Sequence, residues 1–259
     1  MSGTTAAQAL GCRVRPVVIR QALIFAAGLG ERMRPLSERT PKPLLQAGGK
    51  PLVVWHLERL AACGVREVIV NTSHLAEQFP AALGDGARFG LRIEYSKEGA
   101  IPLETGGGML HALALIGDEP FIAVNGDIWS DFDFRALPCE PEGIAHLVLV
   151  DNPSHHPQGD FGVDRDGRLL PLADSPGTTR ALTFAGIGVY RPELLDNWRA
   201  VIGETPGANA TPPRFSIVPL LRARMPLGKI TWQRHGGAWL DIGTPQRLAQ
   251  LDARLRHQG

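Results

Sequence analysis

Through the first half of the chain, short apolar runs alternate with segments whose apolar residues recur at helical spacing. That alternation restricts the fold more than any other feature. ALIFAA (22–27) has the length and composition of a buried strand. In PLVVWHLERLAACG (51–64), Val53, Leu57 and Leu60 fall on one helical face, between Pro51 at the start and Gly64 at the end. REVIVN (66–71) reads as a strand and residues 74–83 as a helix disturbed by Pro80. LRIEYS (91–96) is a strand, ETGGGMLHALALIG (104–117) a helix with a glycine-rich entry, and PFIAVNGD (120–127) another buried strand. Strand, helix, strand at this spacing predicts a mostly parallel sheet with helices on both faces. Ligands of such sheets gather at the carboxyl ends of the strands.

The second half is more antiparallel in character. IAHLVLVDN (144–152) and FAGIGVY (184–190) read as strands, and FGVDRDGRLL (161–170) as a hairpin turning at Asp166-Gly167. GETPGANATPP (203–213) is the clearest loop, and a terminal helix starts at Pro245. A chain of 259 residues has ample core for one α/β domain, expected over 22–259. Residues 1–21, with three arginines and no acid, are expected to form a disordered extension.

A net charge of +1 with 20% charged residues gives no broad preference for nucleic acid. Three scattered cysteines, Cys12, Cys63 and Cys139, supply neither a disulfide framework nor a zinc motif, so a reduced, cytoplasmic setting is the expectation. No apolar run approaches the roughly 18 residues needed to span a bilayer.

The chemistry starts in the loop after the first strand, GLGERMRPLSERTPKP (28–43). A dinucleotide fingerprint would need a third glycine where Met33 stands, and a Walker loop needs GxxxxGK[ST]. The segment fits neither, and its prolines predict an extended path. Glycines allow close backbone approach to a ligand, arginine forks suit phosphate oxygens, and lysine acts as a compact charge. Composition alone equally allows a solvated basic loop held by prolines.

With its glycine pair, arginine, proline and later PKP, this loop resembles the signature of the sugar-phosphate nucleotidyltransferases. The resemblance extends over about 22–251. It implies a Rossmann-like three-layer α/β/α fold with a mostly parallel, mixed central sheet. It also implies joining of a nucleoside triphosphate to a sugar 1-phosphate, with release of pyrophosphate. By the same resemblance Arg32 stabilises the triphosphate and Lys42 contacts phosphate at the reacting centre, while Arg34 and Arg39 hold the loop or face solvent.

Nucleotidyl transfer needs charge neutralisation more than covalent catalysis, and Mg²⁺ held by one or two carboxylates commonly supplies part of it. Asp127 closes the strand FIAV, and Asp241 in WLDIGT also follows an apolar stretch. Either alone reads equally as a cap or turn residue. Together with the loop they match the family's two magnesium-binding aspartates. Asp131 and Asp133 are read as caps or turns.

The same resemblance places Gly106 and Gly107 of ETGGG at the nucleobase, with Ala26, Ala27, Gly28 and Gly30 reading the nucleotide from the opposite wall. On the sugar side it points to Asp151, Asp160 and Gly186. His155 and His156 are read as loop histidines, since no third ligand stands at zinc spacing. Within the family, ETGGG, NGDIW, VDNPSHH and TFAGIG look most similar to the N-acetylmuramate 1-phosphate uridylyltransferases, implying UTP and N-acetylmuramate α-1-phosphate as substrates. Glucose 1-phosphate with UTP or dTTP, mannose 1-phosphate with GTP, and an inactive nucleotide-sugar-binding relative are the alternatives.

Two departures stand out. The EKP segment that grips sugar phosphate in many members is absent from LADSPGTTRALTFAG (172–186), leaving Arg180 as the only candidate there. The chain length also leaves no room for the appended β-helix of acetyltransferase members. The expected partners are therefore the two small substrates alone, without nucleic acid or membrane, in a monomer or small homo-oligomer.

Overall fold

The computed structural model describes residues 19–172 and 179–257. In chain order the elements begin with β1 (Gln21–Phe25), α1 (Leu36–Arg39), β2 (Gln46–Ala47), β3 (Lys50–Pro51) and α2 (Leu52–Ala62). Next come β4 (Glu67–Thr72), α3 (Gln78–Leu83), β5 (Arg92–Lys97), α4 (Glu104–Ile116), β6 (Phe121–Asn125) and β7 (Ile128–Ser130). The second half adds β8 (Ala145–Val150), β9 (Phe161–Val163), β10 (Leu169–Pro171), β11 (Arg180–Tyr190), α5 (Trp198–Ile202) and α6 (Val218–Arg224). β12 (Ile230–Arg234), β13 (Trp239–Asp241) and α7 (Pro245–Arg256) close the chain.

One nine-stranded sheet runs β10-β9-β11-β6-β1-β4-β5, with β8 alongside β11 and β12 alongside β8. β1 lies parallel to both β4 and β6, and β5 parallel to β4. β11 enters antiparallel, pairing with β6, β8 and β9. The switch from parallel to antiparallel therefore falls between β6 and β11.

Alternation along the strands builds the layers. Ala22, Ile24, Val68, Val70, Ile122 and Val124 pack on one face with Val53, Leu57 and Leu60 of α2. Leu23, Ile69, Phe121 and Ala123 point to the other face, against Met109, Ala112 and Ile116 of α4 and Leu220 and Leu221 of α6. Both faces are thus covered by helices, which is why the central strands read as continuous apolar runs.

A third cluster holds Met33, Leu45, Ala47, Leu52, Trp129, Ile242, Leu248, Leu251 and Leu255. It joins the loop after β1 to the C-terminal helix. Met33, fully buried, stands where a dinucleotide fold would have its third glycine. Here a large side chain is needed, because the loop must dock against α7.

Three expectations are corrected. The 28–43 loop is not extended: it contains 3₁₀ turns at Glu31–Met33 and Lys42–Leu44 as well as α1. Hydrogen bonds to Gly30 O from Met33 N and Ser37 Oγ, both 2.8 Å, fold it back on itself. The expected N-terminal extension lies outside the described residues up to 18, but the order begins before residue 22. Ile19 is buried, Arg20 O accepts from Arg66 N, and Gln21 starts β1. Pro80 leaves α3 intact because it sits in the first turn, where a missing N–H costs little.

Replacing Met33 by Ala is expected to cost about 2–5 kcal/mol in urea denaturation, the scale of a Met→Ala cavity in a packed core. A loss below about 1 kcal/mol would mean the loop is not anchored through this residue.

Candidate active site

A cleft of about 650 Å³ opens at the carboxyl ends of β1 and β6. Its walls include Ala26, Ala27, Gly28 and Gly30 from the loop, Asn71 and Glu98 from the neighbouring strand ends, and Glu104 and Thr105 from the start of α4. Gly30 adopts φ 64°, and a Cβ there would lie 3.1 Å from Ser37 Cβ, so glycine lets the loop turn.

A buried relay fixes one side of the cleft. Ala26 N donates to Asn71 Oδ1 at 2.6 Å, and Asn71 Nδ2 donates to Glu98 Oε1 at 2.6 Å. Leu103 N donates to Glu98 Oε2 at 2.7 Å. Both Asn71 and Glu98 are buried, and burial raises the Glu98 carboxyl above the ordinary carboxylate range, opposed by these two hydrogen bonds. Gly108 makes room: a Cβ there would lie 2.5 Å from Glu98 Oε1. Because Ala26 N is already committed to Asn71, it is not free to read a nucleobase.

Lys42 is buried, and its Nζ meets Asp127 Oδ2 at 2.7 Å. Asp241 reaches the same place from the far end of the chain. β13 pairs antiparallel with β7, setting Asp241 opposite Ile128, and Ile242 N donates to Asp127 O at 2.9 Å. Asp241 Oδ2 is 2.6 Å from Arg247 Nη1. Thr244 starts α7 by accepting from Arg247 N through its hydroxyl, with Pro245 in the first turn, which holds Arg247 close to Asp241.

A second cavity of about 370 Å³ adjoins the first. Arg32, Asn125 and Asp127 line both. Its other walls include Asp241, Asp160, Gly186, His155 and His156. Asp160 accepts from Phe184 N at 2.8 Å and meets His156 Nε2 at 3.1 Å. Gly186 lies at the register shift in β11, with φ 72° and no space for a Cβ, which would sit 2.8 Å from Asn125 Nδ2.

Arg32, Lys42, Asp127 and Asp241 thus come together, with Ala26, Ala27, Gly28 and Gly30 in one cavity and Asp160 and Gly186 in the other. Three expected positions lie elsewhere. Gly106 and Gly107 face away from the cleft: their N–H groups donate to Phe215 O at 2.9 and 3.0 Å. A Cβ on either would strike Phe215 or Pro213, so these glycines admit the 213–217 segment instead of a base. Asp151 is exposed and pairs with Arg180 and Arg234, away from both cavities, and this also removes Arg180 as a phosphate contact. Arg34 and Arg39 are exposed. Asp133 caps a 3₁₀ turn by accepting from Arg135 N, as a turn residue should.

Sequence reasoning missed Asn71, Glu98, Asn125 and Arg247. Asn71 and Asn125 each follow an apolar run at the sheet's carboxyl edge, a signal equal to that of Asp127. Arg247 had none, being one of several arginines on the terminal helix.

The chain matches the nucleotidyl transferase family over residues 21–258. It belongs to that family. A protein of Neisseria meningitidis serogroup B, an N-acetylmuramate alpha-1-phosphate uridylyltransferase, is 45% identical over 90% of this chain and 97% of its own length. A Caulobacter vibrioides enzyme of the same description is 32% identical over 90% and 96%. A mannose-1-phosphate guanylyltransferase of Mycobacterium tuberculosis is 31% identical over 90% of this chain and 64% of its own length. Among solved structures, a Bacillus anthracis protein assigned as a glucose-1-phosphate thymidylyltransferase superposes with a TM-score of 0.73. It covers 92% of this chain and 95% of its own, and at 20% identity it speaks for the fold alone. This nucleotidyl transferase is therefore a sugar-1-phosphate nucleotidyltransferase, with a mixed, mostly parallel central sheet. No helix among its described residues is long and apolar enough to cross a membrane.

Asp127 and Asp241 fit a small divalent cation. They are hard oxygen donors brought to adjacent rungs of one ribbon. Among the described residues no third His, Cys, Asp or Glu joins them as a metal cluster, so further ligands would come from phosphate and water, the preference of Mg²⁺.

Glu98 gives a pH signature. A carboxyl whose folded pKa is raised binds its proton more tightly in the folded state, so its contribution to stability falls as pH rises through that value. Glu98→Gln cannot ionise. As pH rises above the ordinary carboxylate value, denaturation curves should show the variant gaining on the wild type. Parallel pH profiles would refute this environment for Glu98.

Proposed function

We propose that this enzyme transfers a uridylyl group from UTP to N-acetylmuramate α-1-phosphate, releasing UDP-N-acetylmuramate and pyrophosphate, in the recycling of peptidoglycan. The observation that carries the reaction is the Lys42–Asp127 pair, placed where the nucleotide-sized cleft meets the second cavity. The substrate pair is supported by the two uridylyltransferase relatives, which match across nearly their whole length. Cys63 and Cys139 are both free thiols, in keeping with a proposed cytoplasmic setting.

In the proposed reaction the triphosphate lies along the 28–43 loop and the acceptor occupies the second cavity. An oxygen of the acceptor's phosphate attacks the α-phosphorus of UTP, forming a new P–O–P bridge. The bond to the β-phosphate oxygen breaks, and pyrophosphate carries the electron pair away. No side chain needs to remove a proton, because a sugar phosphate is already anionic near neutrality. Arg32 and Lys42 offset the charge of the reacting phosphates, and the fixed loop supplies orientation. Mg²⁺ held by Asp127 and Asp241 would add charge neutralisation on the phosphate oxygens. Asp160 and Gly186 shape the sugar side, Asp160 by holding the 151–160 loop to Phe184 and Gly186 by leaving space beside Asn125.

A pyrophosphate-release screen of nucleoside triphosphates against sugar 1-phosphates should give strongest turnover with UTP and N-acetylmuramate 1-phosphate. Turnover confined to GTP with mannose 1-phosphate, or to dTTP with glucose 1-phosphate, would overturn the substrate assignment. No turnover with any pair would point to the inactive, ligand-binding alternative.

Asp127→Asn keeps a polar partner for buried Lys42 while removing the charge. Its kcat should fall by about 10²–10³-fold or more, with an unchanged far-UV spectrum. Near-normal turnover in that variant would remove Asp127 from the reacting centre.

A further inference from the structure

Each of the two carboxylates at the reacting centre has its own cation. Lys42 serves Asp127 at 2.7 Å, and Arg247 serves Asp241 at 2.6 Å. Lys42 comes from the signature loop, whereas Arg247 comes from a helix at the opposite end of the chain. Arg247 Nη1 also lies 2.8 Å from His155 Nε2, an acceptor for the guanidinium on the wall of the second cavity. Its other terminal nitrogen, Nη2, faces Gly243, where a Cβ would lie 2.7 Å from it. Arg32 Nη2 and Asp241 Oδ1 would each lie 3.2 Å from that same Cβ. The two guanidinium groups therefore converge across a gap that only the missing side chain of Gly243 keeps open.

We propose that Arg247 is the acceptor-phosphate contact of this enzyme: it neutralises Asp241 in the free enzyme and pairs with the sugar 1-phosphate once Asp241 turns to a divalent cation. The inference rests on the nucleotidyl-transfer reading of the site. Two observations lead to it.

The first is charge balance. The Arg247 side chain is only 17% exposed, and a largely desolvated guanidinium that loses its carboxylate is costly until another anion replaces it. The acceptor's phosphate is the anion that enters beside Asp241. An arginine fork can hold two of its oxygens at once.

The second is the shortage of other candidates. Arg180, the only basic side chain in the segment where EKP is missing, is committed to Asp151 outside the cavities. Of the basic side chains lining the second cavity, Arg32 also lines the nucleotide cleft, His156 is engaged by Asp160, and His155 accepts from Arg247. Arg247, which reaches the wall of that cavity through Asp241 and His155, is the remaining basic group on the acceptor side.

The reading predicts opposite signs for two ligands of one variant. In Arg247→Gln, KM for the sugar 1-phosphate should rise by about 10- to 100-fold, the scale of one lost charge-assisted contact. KM for the nucleoside triphosphate should change by less than about threefold. Mn²⁺ titrated into the substrate-free protein and followed by electron paramagnetic resonance should bind more tightly, because a competing cation has been removed from Asp241. Arg247→Lys, which keeps the charge without the fork, should recover part of the acceptor affinity and bind Mn²⁺ as the wild type does.

An unchanged acceptor KM in both variants would overturn the proposal. So would an equal rise for both substrates, or weaker Mn²⁺ binding in Arg247→Gln, since these are the marks of a purely structural strut. If Arg247→Gln does not fold, Arg247→Lys decides: a raised acceptor KM alone supports the proposal, and a wild-type value refutes it. Wild-type turnover is measured first. Its absence would refute the functional reading itself, whereas an active wild type with indifferent Arg247 variants refutes only the role of Arg247.

Discussion

The site exists because a short C-terminal strand closes against the middle of the chain. β13 pairs with β7, and one further hydrogen bond, from Ile242 N to Asp127 O, locks the two carboxylate-bearing turns together. Three paired residues would be weak alone, since an isolated two-stranded ribbon is marginal in water. The closure is held by the apolar cluster beneath it, where Ile242, Leu248, Leu251 and Leu255 meet Met33 and Leu52. The 28–43 loop and the second carboxylate are therefore parts of one packed unit. Burial of apolar side chains supplies the force, and hydrogen bonds set the register.

That arrangement concentrates charge and gives each carboxylate of the centre a basic partner. Lys42 and Arg247 each answer one aspartate, and His156 answers Asp160. In the proposed reaction, substrate phosphates and a cation replace these internal partners, so the buried Lys42 ammonium keeps an anion beside it. The buried relay from Ala26 through Asn71 to Glu98 has a different function. Its groups are satisfied internally, so it stiffens the cleft wall.

The parallel half of the fold was legible in the sequence because each strand and helix there announces itself through its own periodicity. Val53, Leu57 and Leu60 on one face of a helix, or four apolar residues in a row before Asn125, need no knowledge of the rest of the chain. Two local readings went astray for a shared reason. A glycine run at a helix start suggests an open ligand-facing backbone, yet Gly106 and Gly107 receive the 213–217 segment, which is distant in sequence. Asp151 ends a strand as Asp127 does, but it lies where Arg180 and Arg234 are its neighbours. A residue's type and its place at a strand end do not reveal what the rest of the chain lays over it.

By itself the sequence determined the alternation of strands and helices, the glycine- and proline-bound basic loop, and the two acidic strand ends. These follow from local sterics and from the periodicity of burial. Only the tertiary structure decided which acids meet, that each meets a cation, that Met33 is an anchor, and that Arg247 stands beside Asp241. Those facts depend on strand register and on the docking of the last helix, contacts between residues far apart in the chain that no local pattern encodes.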